Sequence, residues 1–166
     1  MRKIMTLFAC LTAINVLQAA DPNYQVVKEI QIGGEGGWDY LILDPAAHRL
    51  YVSHATKIVV ADVESGQVVG EISDTPGVHG IALAPELGRG FTSNGRANSS
   101  TIVDLKTLKP LATVQTGANP DSIRYLPDRH EVWTFNHTGG VDGNGFDAAT
   151  GLAFASSGTG VLTVAH

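Results

Sequence analysis

One spacing limits what this chain can fold into. Pro85 stands 40 residues after Pro45, and Pro127 stands 42 residues after Pro85. Each proline lies between two short runs with an apolar residue at every second position: "WDYLILD" and "AAHRLYVSH" around Pro45, "VHGIALA" and "ELGRGFTSN" around Pro85, "DSIRYL" and "DRHEVWTFN" around Pro127. Ala148 occupies the same place between "VDGNGFD" and "ATGLAFASS", but only 21 residues after Pro127. The columns agree. Two before the anchor are Leu43, Leu83, Tyr125 and Phe146; four before are Leu41, Ile81, Ile123 and, out of pattern, Asn144; six after are Tyr51, Phe91, Trp133 and Phe154. Alternation of this kind marks strands with a buried face, and the anchor with its flanking Asp, Glu, Ala or Gly makes the turn between them.

Each unit therefore opens with a hairpin, strands a and b. In the first unit Lys57–Asp62 and Val68–Ile72 follow as strands c and d, and in the second Thr101–Leu105 and Leu111–Val114 match them. No segment after residue 20 has a helical period. Four short antiparallel strands recurring about every 40 residues predict an all-β chain of β-propeller-type blades. A stacked solenoid is the structural alternative, but solenoids rarely use four-strand meanders. The count is incomplete, about three to four blades, so the propeller is expected to be partial or open. The third unit has strands a and b, then stops at His137-Thr138-Gly139-Gly140, where the next strand a begins. The last unit has a, b and a c strand in "GVLTVAH", and Tyr24–Ile32, "YQVVKEIQI", has the pattern of a lone d strand. An internal deletion from a longer propeller explains this pattern most simply. Three residues reach about 10 Å when extended, enough to enter an adjacent blade but not to cover the edge left by the missing strands. Exposed edges pair with other chains, so a strand-paired homo-oligomer or an open arc prone to aggregate is expected.

Tyr51-Val52-Ser53-His54, Phe91-Thr92-Ser93-Asn94 and Trp133-Thr134-Phe135-Asn136 resemble the tetrapeptide of the YVTN-type, YncE-like β-propeller repeats of exported bacterial proteins. Asp44-Pro45, the run from Val59 to Val69 and Thr116-Gly117-Ala118-Asn119-Pro120 are similar to the strand, turn and inter-blade elements of that family. The resemblance spans roughly residues 24–166. It implies the propeller fold, typically of about seven blades, and no defined catalytic motif.

The N-terminus reads as an address. Basic Met1-Arg2-Lys3, a largely apolar run from Ile4 to Leu17 and small Ala19-Ala20 before Asp21-Pro22 make a secretory signal peptide over residues 1–20. The apolar run is shorter than the roughly 20 residues a membrane span needs, so residues 21–166 are expected in the periplasm or outside the cell with no membrane span after cleavage. The one cysteine, Cys10, falls inside the leader, which leaves no disulfide and no thiolate chemistry. A formal net charge of −5 without any basic run argues against a nucleic-acid partner.

Candidate site residues come from two columns. Asp39, His79, Asp121 and Asp142 stand six before the anchor, at the start of strand a, which borders the central channel of a propeller. Three carboxylates and an imidazole there suit a polar ligand or a divalent metal; the plainer reading is that they cap turns. His54, Asn94, Asn136 and Ser157 end strand b beside them, and are otherwise ordinary polar strand ends. Trp38 follows the glycine-rich Gly33–Gly37 and is placed to stack on a ligand, whereas Trp133 reads as core. Other motifs fail. The glycines from Gly139 to Gly145 precede no helix and no Lys-Ser/Thr pair, the histidines lack HExxH spacing, and there is no CxxCH. No catalytic residue is assigned, and the cofactor is open. The motifs favour a binding or scaffold propeller contacting a protein, polymer or small ligand. A lactonase-type or redox enzyme with a metal or haem in the channel, or a shortened remnant without function, are the alternatives. Intact-mass measurement on protein recovered from a bacterial periplasm is expected to show the loss of Met1–Ala20; a mass retaining them would refute the leader.

Overall fold

The computed structural model describes residues 25–136 and 141–165, with the side chains of Asn136, Val141 and Asp142 also outside the description. Thirteen strands and two single 3-10 turns make up the regular structure of these residues. The first blade is β1 (Trp38–Asp44), β2 (Arg49–His54), β3 (Lys57–Asp62) and β4 (Gln67–Ile72), hydrogen-bonded in that order. The second repeats it with β5 (Val78–Ala84), β6 (Arg89–Asn94), β7 (Ser99–Asp104) and β8 (Pro110–Gln115). The third holds only β9 (Pro120–Leu126) and β10 (Glu131–Asn136). The last is β11 (Val141–Asp147), β12 (Leu152–Ser157) and β13 (Leu162–Ala165). All pairings are antiparallel, and among the described residues β10 has β9 as its one ladder partner. The half-blade read from the sequence is thus present in the fold.

The turns repeat as closely as the strands. The residue three after each anchor takes a left-handed backbone: His48 (φ 54), Gly88 (φ 62), His130 (φ 54) and Gly151 (φ 71). A tight a–b hairpin needs one such residue, and glycine, or more rarely a small set of polar residues including histidine, accepts it. Strand-ending aspartates fix other turns. The Ser65 amide and hydroxyl each donate to Asp62 at 2.7 Å, and the Lys106 and Thr107 amides donate to Asp104 at 3.1 and 2.8 Å. These bonds favour the ionised form and hold both carboxyls below their ordinary value.

Blades stack in chain order, with the inner strands β1, β5, β9 and β11 as neighbours. We call the face of a blade that meets the next one its forward face, and the opposite one its backward face. The main core lies between the first two blades. Forward-facing Tyr51, Ile58, Val60 and Ile72 meet Val78, Ile81, Val103 and Leu105. The Arg49 guanidinium donates to the Leu105 carbonyl at 2.8 Å across the same seam. The aromatic column is forward-facing throughout. Tyr51 packs in this core with Leu83, Phe91 stacks on Tyr125 with centroids 6.2 Å apart, and Trp133 meets Phe146 edge-on at 6.4 Å. Only Tyr51 is fully buried; Phe91, Trp133 and Phe154 are half-buried. Complete burial therefore needs two complete blades.

The alternating pattern of Tyr24–Ile32 predicts a strand, and the structure corrects this: residues 25–32 pair with no sheet. They belong to an arm held at two points of the first blade. The Lys28 ammonium donates to the carbonyls of Val63 and Glu64 at 3.0 and 2.6 Å, and Lys28 and Ile30 pack against Gly66. Gly34 and Gly36, both with positive φ, lie against His54. These anchors carry the arm over the backward face, where Val52, Val59 and Ala61 are buried. Packing as coil on a face has replaced pairing at an edge. If the seam between the first two blades carries the stability, Ile58→Ala should cost about 2–5 kcal/mol, whereas Val114→Ala, 52% exposed on β8, should change stability by under about 0.5 kcal/mol. Urea unfolding measures both.

Candidate functional site

Each inner hairpin carries a register slip at the same place. In β1 it falls between Trp38 and Leu41, in β5 between Val78 and Gly80, and in β11 between Val141 and Gly143. Opposite the Thr134–Asn136 step, β9 likewise carries one residue too many. These slips bracket the polar column Asp39, His79, Asp121 and Asp142. A bulge inserts an unpaired residue and re-aims its side chain, so residues that plain alternation would send to blade faces turn toward the channel mouth.

There the column converges. His79 Nδ1 lies 2.8 Å from Asp39 Oδ2 and 3.7 Å from Asp121 Oδ1. An ionised carboxylate can only accept, so Nδ1 carries the proton and donates to Asp39. The ring's Nε2 faces the other way, over Gly95. A Cβ on Gly95 would stand 2.6 Å from Nε2 and 2.5 Å from Asn119 Oδ1, so the close approach requires glycine. Asn119 is held by its own amide, which donates to Asn98 Oδ1 at 2.8 Å. The Arg96 stem presses on Gly77, whose φ of 65° also calls for glycine. Among the described residues the Arg96 guanidinium has no ion-pair partner. Trp38, Asp39, His79, Arg96 and Asn119 line one open cleft of about 300 Å³. A second cleft, of about 250 Å³, runs deeper between the four inner strands and is lined by Tyr40, Ile42, Gly80, Ile123 and Asn144 among others.

The second column divides differently. His54 is buried, stacked under Trp38 with centroids 3.7 Å apart, and its Nδ1 lies 3.1 Å from the Gly37 carbonyl. It supports Trp38 from below and leaves the other indole face open to the cleft. Asn94 is 1% exposed, and its amide donates to Ser99 Oγ and Thr101 Oγ1 at 3.3 and 2.8 Å while its carbonyl accepts from Thr92 Oγ1. It ties the second blade together from inside. Ser157 lies within hydrogen-bond distance of Thr159 at 2.8 Å in its own turn. The backbones of Asn136 and Asp142 lie in β10 and β11, and their side chains fall outside the described residues. Arg96 and Asn119 join the cleft without a sequence signal, because they sit in connections that carry no repeating column. No three His, Cys, Asp or Glu among the described residues form a set able to hold a metal ion. Nor is any described helix long and apolar enough to cross a membrane. Gly95→Ala should push His79 off Asp39 at a cost of about 1–3 kcal/mol; a changed His79 imidazole signal by NMR checks this, and an unaltered one would contradict the packing.

No protein-family profile matches the chain. Over 103 residues it is 26% identical to protein YncE of Salmonella typhimurium, a match covering 61% of this chain and 29% of that protein, and equally to YncE of Salmonella typhi. The chain thus spans less than a third of the curated relatives it matches. Among solved structures it superimposes on Kuenenia stuttgartiensis hydrazine synthase with a TM-score of 0.59 at 15% identity, covering 84% of this chain and 38% of that one. It superimposes on dihydro-heme d1 dehydrogenase NirN with a TM-score of 0.57 at 14% identity, covering 78% and 33%. At such identities the shared property is the propeller fold.

Proposed function

We propose that this chain, which is similar to YncE over 103 residues and has the propeller fold, is an exported binding protein that takes a small polar ligand at the mouth of its inner strands. The observation carrying this reading is the convergence of Asp39, His79, Arg96 and Asn119 on one cleft beside Trp38. The chemistry of the cleft selects the ligand. Arg96 offers a fork of donors unpaired among the described residues, which suits a carboxylate or similar anionic group. Asp39 with His79 accepts and donates close by, and the open face of Trp38 suits a planar or apolar body. The basic and apolar leader of residues 1–20 supports export to the periplasm or beyond. A nucleophile with its base is not among the cleft residues, so the reading is binding rather than turnover. Stoichiometric divalent metal in the purified protein would replace it with a metal-dependent one.

Tryptophan emission, titrated with a panel of small carboxylates, tests the proposal. A saturable change is expected from Trp38, kept in Trp133→Phe and lost in Trp38→Phe. Arg96→Ala should weaken it at least about tenfold, or 1.4 kcal/mol, with the circular dichroism unchanged. A response that survives Arg96→Ala would remove the cleft from the reading.

A further inference from the structure

The residues five before each anchor are Tyr40, Gly80, Ser122 and Gly143. They follow the polar column directly, one step of about 3.3 Å along each inner strand. Three of the four are small, and all four line the deeper cleft of about 250 Å³ between the inner strands. The fold requires glycine at neither Gly80 nor Gly143. Neither has a positive φ. A Cβ on Gly80 would stand 3.7 Å from side-chain carbons of Tyr40 and Ile123, and one on Gly143 would stand 3.7 Å from the Ser156 hydroxyl, both ordinary contact distances. A glycine within a strand loses more backbone freedom on folding than alanine would, so each costs stability that neither backbone geometry nor close packing demands. Gly77 and Gly95 at the mouth differ, because there a Cβ would meet its neighbours at under 3 Å. What Gly80 and Gly143 leave behind is open volume.

The walls of that volume set its chemistry. Leu41, Ile42, Ile81 and Ile123 are aliphatic, Tyr40 adds a ring, and among the described residues no charged side chain lines the cleft. Two polar groups stand in these walls. Ser122 is 4% exposed, and its hydroxyl has no hydrogen-bond partner. Buried hydroxyls are normally paired, and this one can both donate and accept. Asn144, polar where its column otherwise holds Leu41, Ile81 and Ile123, brings an amide to the same cleft. We infer that the cleft is a second binding site, for a small uncharged ring carrying a hydroxyl or carbonyl group that pairs with Ser122. The size agrees. A cavity of roughly 150 Å³ holds benzene, so this cleft takes a ring with one or two short substituents. A charged ligand is disfavoured, because an ion set among apolar walls without an opposite charge loses its hydration uncompensated. The site is separate from the mouth, where Arg96 and Asp39 are charged, and does not depend on it.

Phenol, toluene and benzoate are the probes, titrated into the isotopically labelled full chain and followed by the amide NMR signals. Phenol should bind saturably and move the amides of Gly80, Ile123 and Asn144. Ser122→Ala should weaken phenol at least about fivefold, the size of one hydrogen bond, and leave toluene unchanged. Gly143→Ala should weaken both rings and Gly143→Val should abolish both, with the thermal midpoint retained or raised, since valine favours a strand. Arg96→Ala should leave phenol binding as it was, while any benzoate response at Trp38 and His79 is lost; failure at the mouth and failure in the cleft are thus told apart. The inference is overturned if phenol gives no saturable shifts, if its shifts are confined to Trp38 and His79, if binding survives Gly143→Val, or if Ser122→Ala weakens phenol and toluene alike.

Discussion

A four-stranded blade is a thin sheet with two apolar faces, and neither is stable in water alone. Everything in this chain follows from how those faces are covered. Between the first two blades the covering is complete, and there the side chains of Tyr51, Ile58, Val60, Ile72 and Val103 reach essentially full burial. Burying an aliphatic or aromatic side chain contributes about 1.5–3 kcal/mol, so this one seam carries much of the cohesion of the fold. At the third blade the sheet narrows to two strands and the partners Phe91 and Trp133 are only half-buried. At the last blade the forward face has no partner among the described residues. Cohesion therefore falls along the chain.

The arm is a second solution to the same constraint. Its sequence alternates as a strand would, yet Ile30 and Ile32 are half-buried while Glu29 and Gln31 are exposed, which is the alternation of a segment lying on a surface. An edge would reward it with backbone hydrogen bonds; the backward face of the first blade rewards it with apolar contact and the two carbonyls that receive Lys28. Gly33, Gly34 and Gly36 adopt left-handed φ where the arm turns back toward β1, which is why the glycines cluster there.

Much of this was legible because repetition converts weak local signals into strong ones. One alternating run is ambiguous, but four in one register specify a blade, and the anchor spacing exposed the half-blade at β9 and β10. The aromatic column Tyr51, Phe91 and Trp133 does share one face, each meeting the next blade. What the columns could not give is whether a face is covered: Leu41 and Ile81 occupy one column, and one is exposed while the other is buried. The polar mouth was half legible. Asp39, His79 and Asp121 share a column and meet, but His54 and Asn94, opposite them across the hairpin, are buried. The bulge explains the split, because it turns one strand's residue outward without turning its neighbour. Arg96 and Asn119 belong to connections that vary between units, where no column exists to read.

The bulge and the stacking of blades act together on the site. A bulge aims a side chain only relative to its own blade; the meeting of Asp39 with His79 depends also on the angle between two blades, and that angle is set by the best-packed seam in the molecule. Asp121 projects from the half-blade and stands farther from His79, at 3.7 Å against 2.8 Å for Asp39. Trp38, Asp39, His79 and Arg96 thus rest on the two complete blades. A cleft that must hold donors and acceptors at fixed distances is best built where the scaffold is stiffest, and in this chain that place is the seam whose core the first two repeats close.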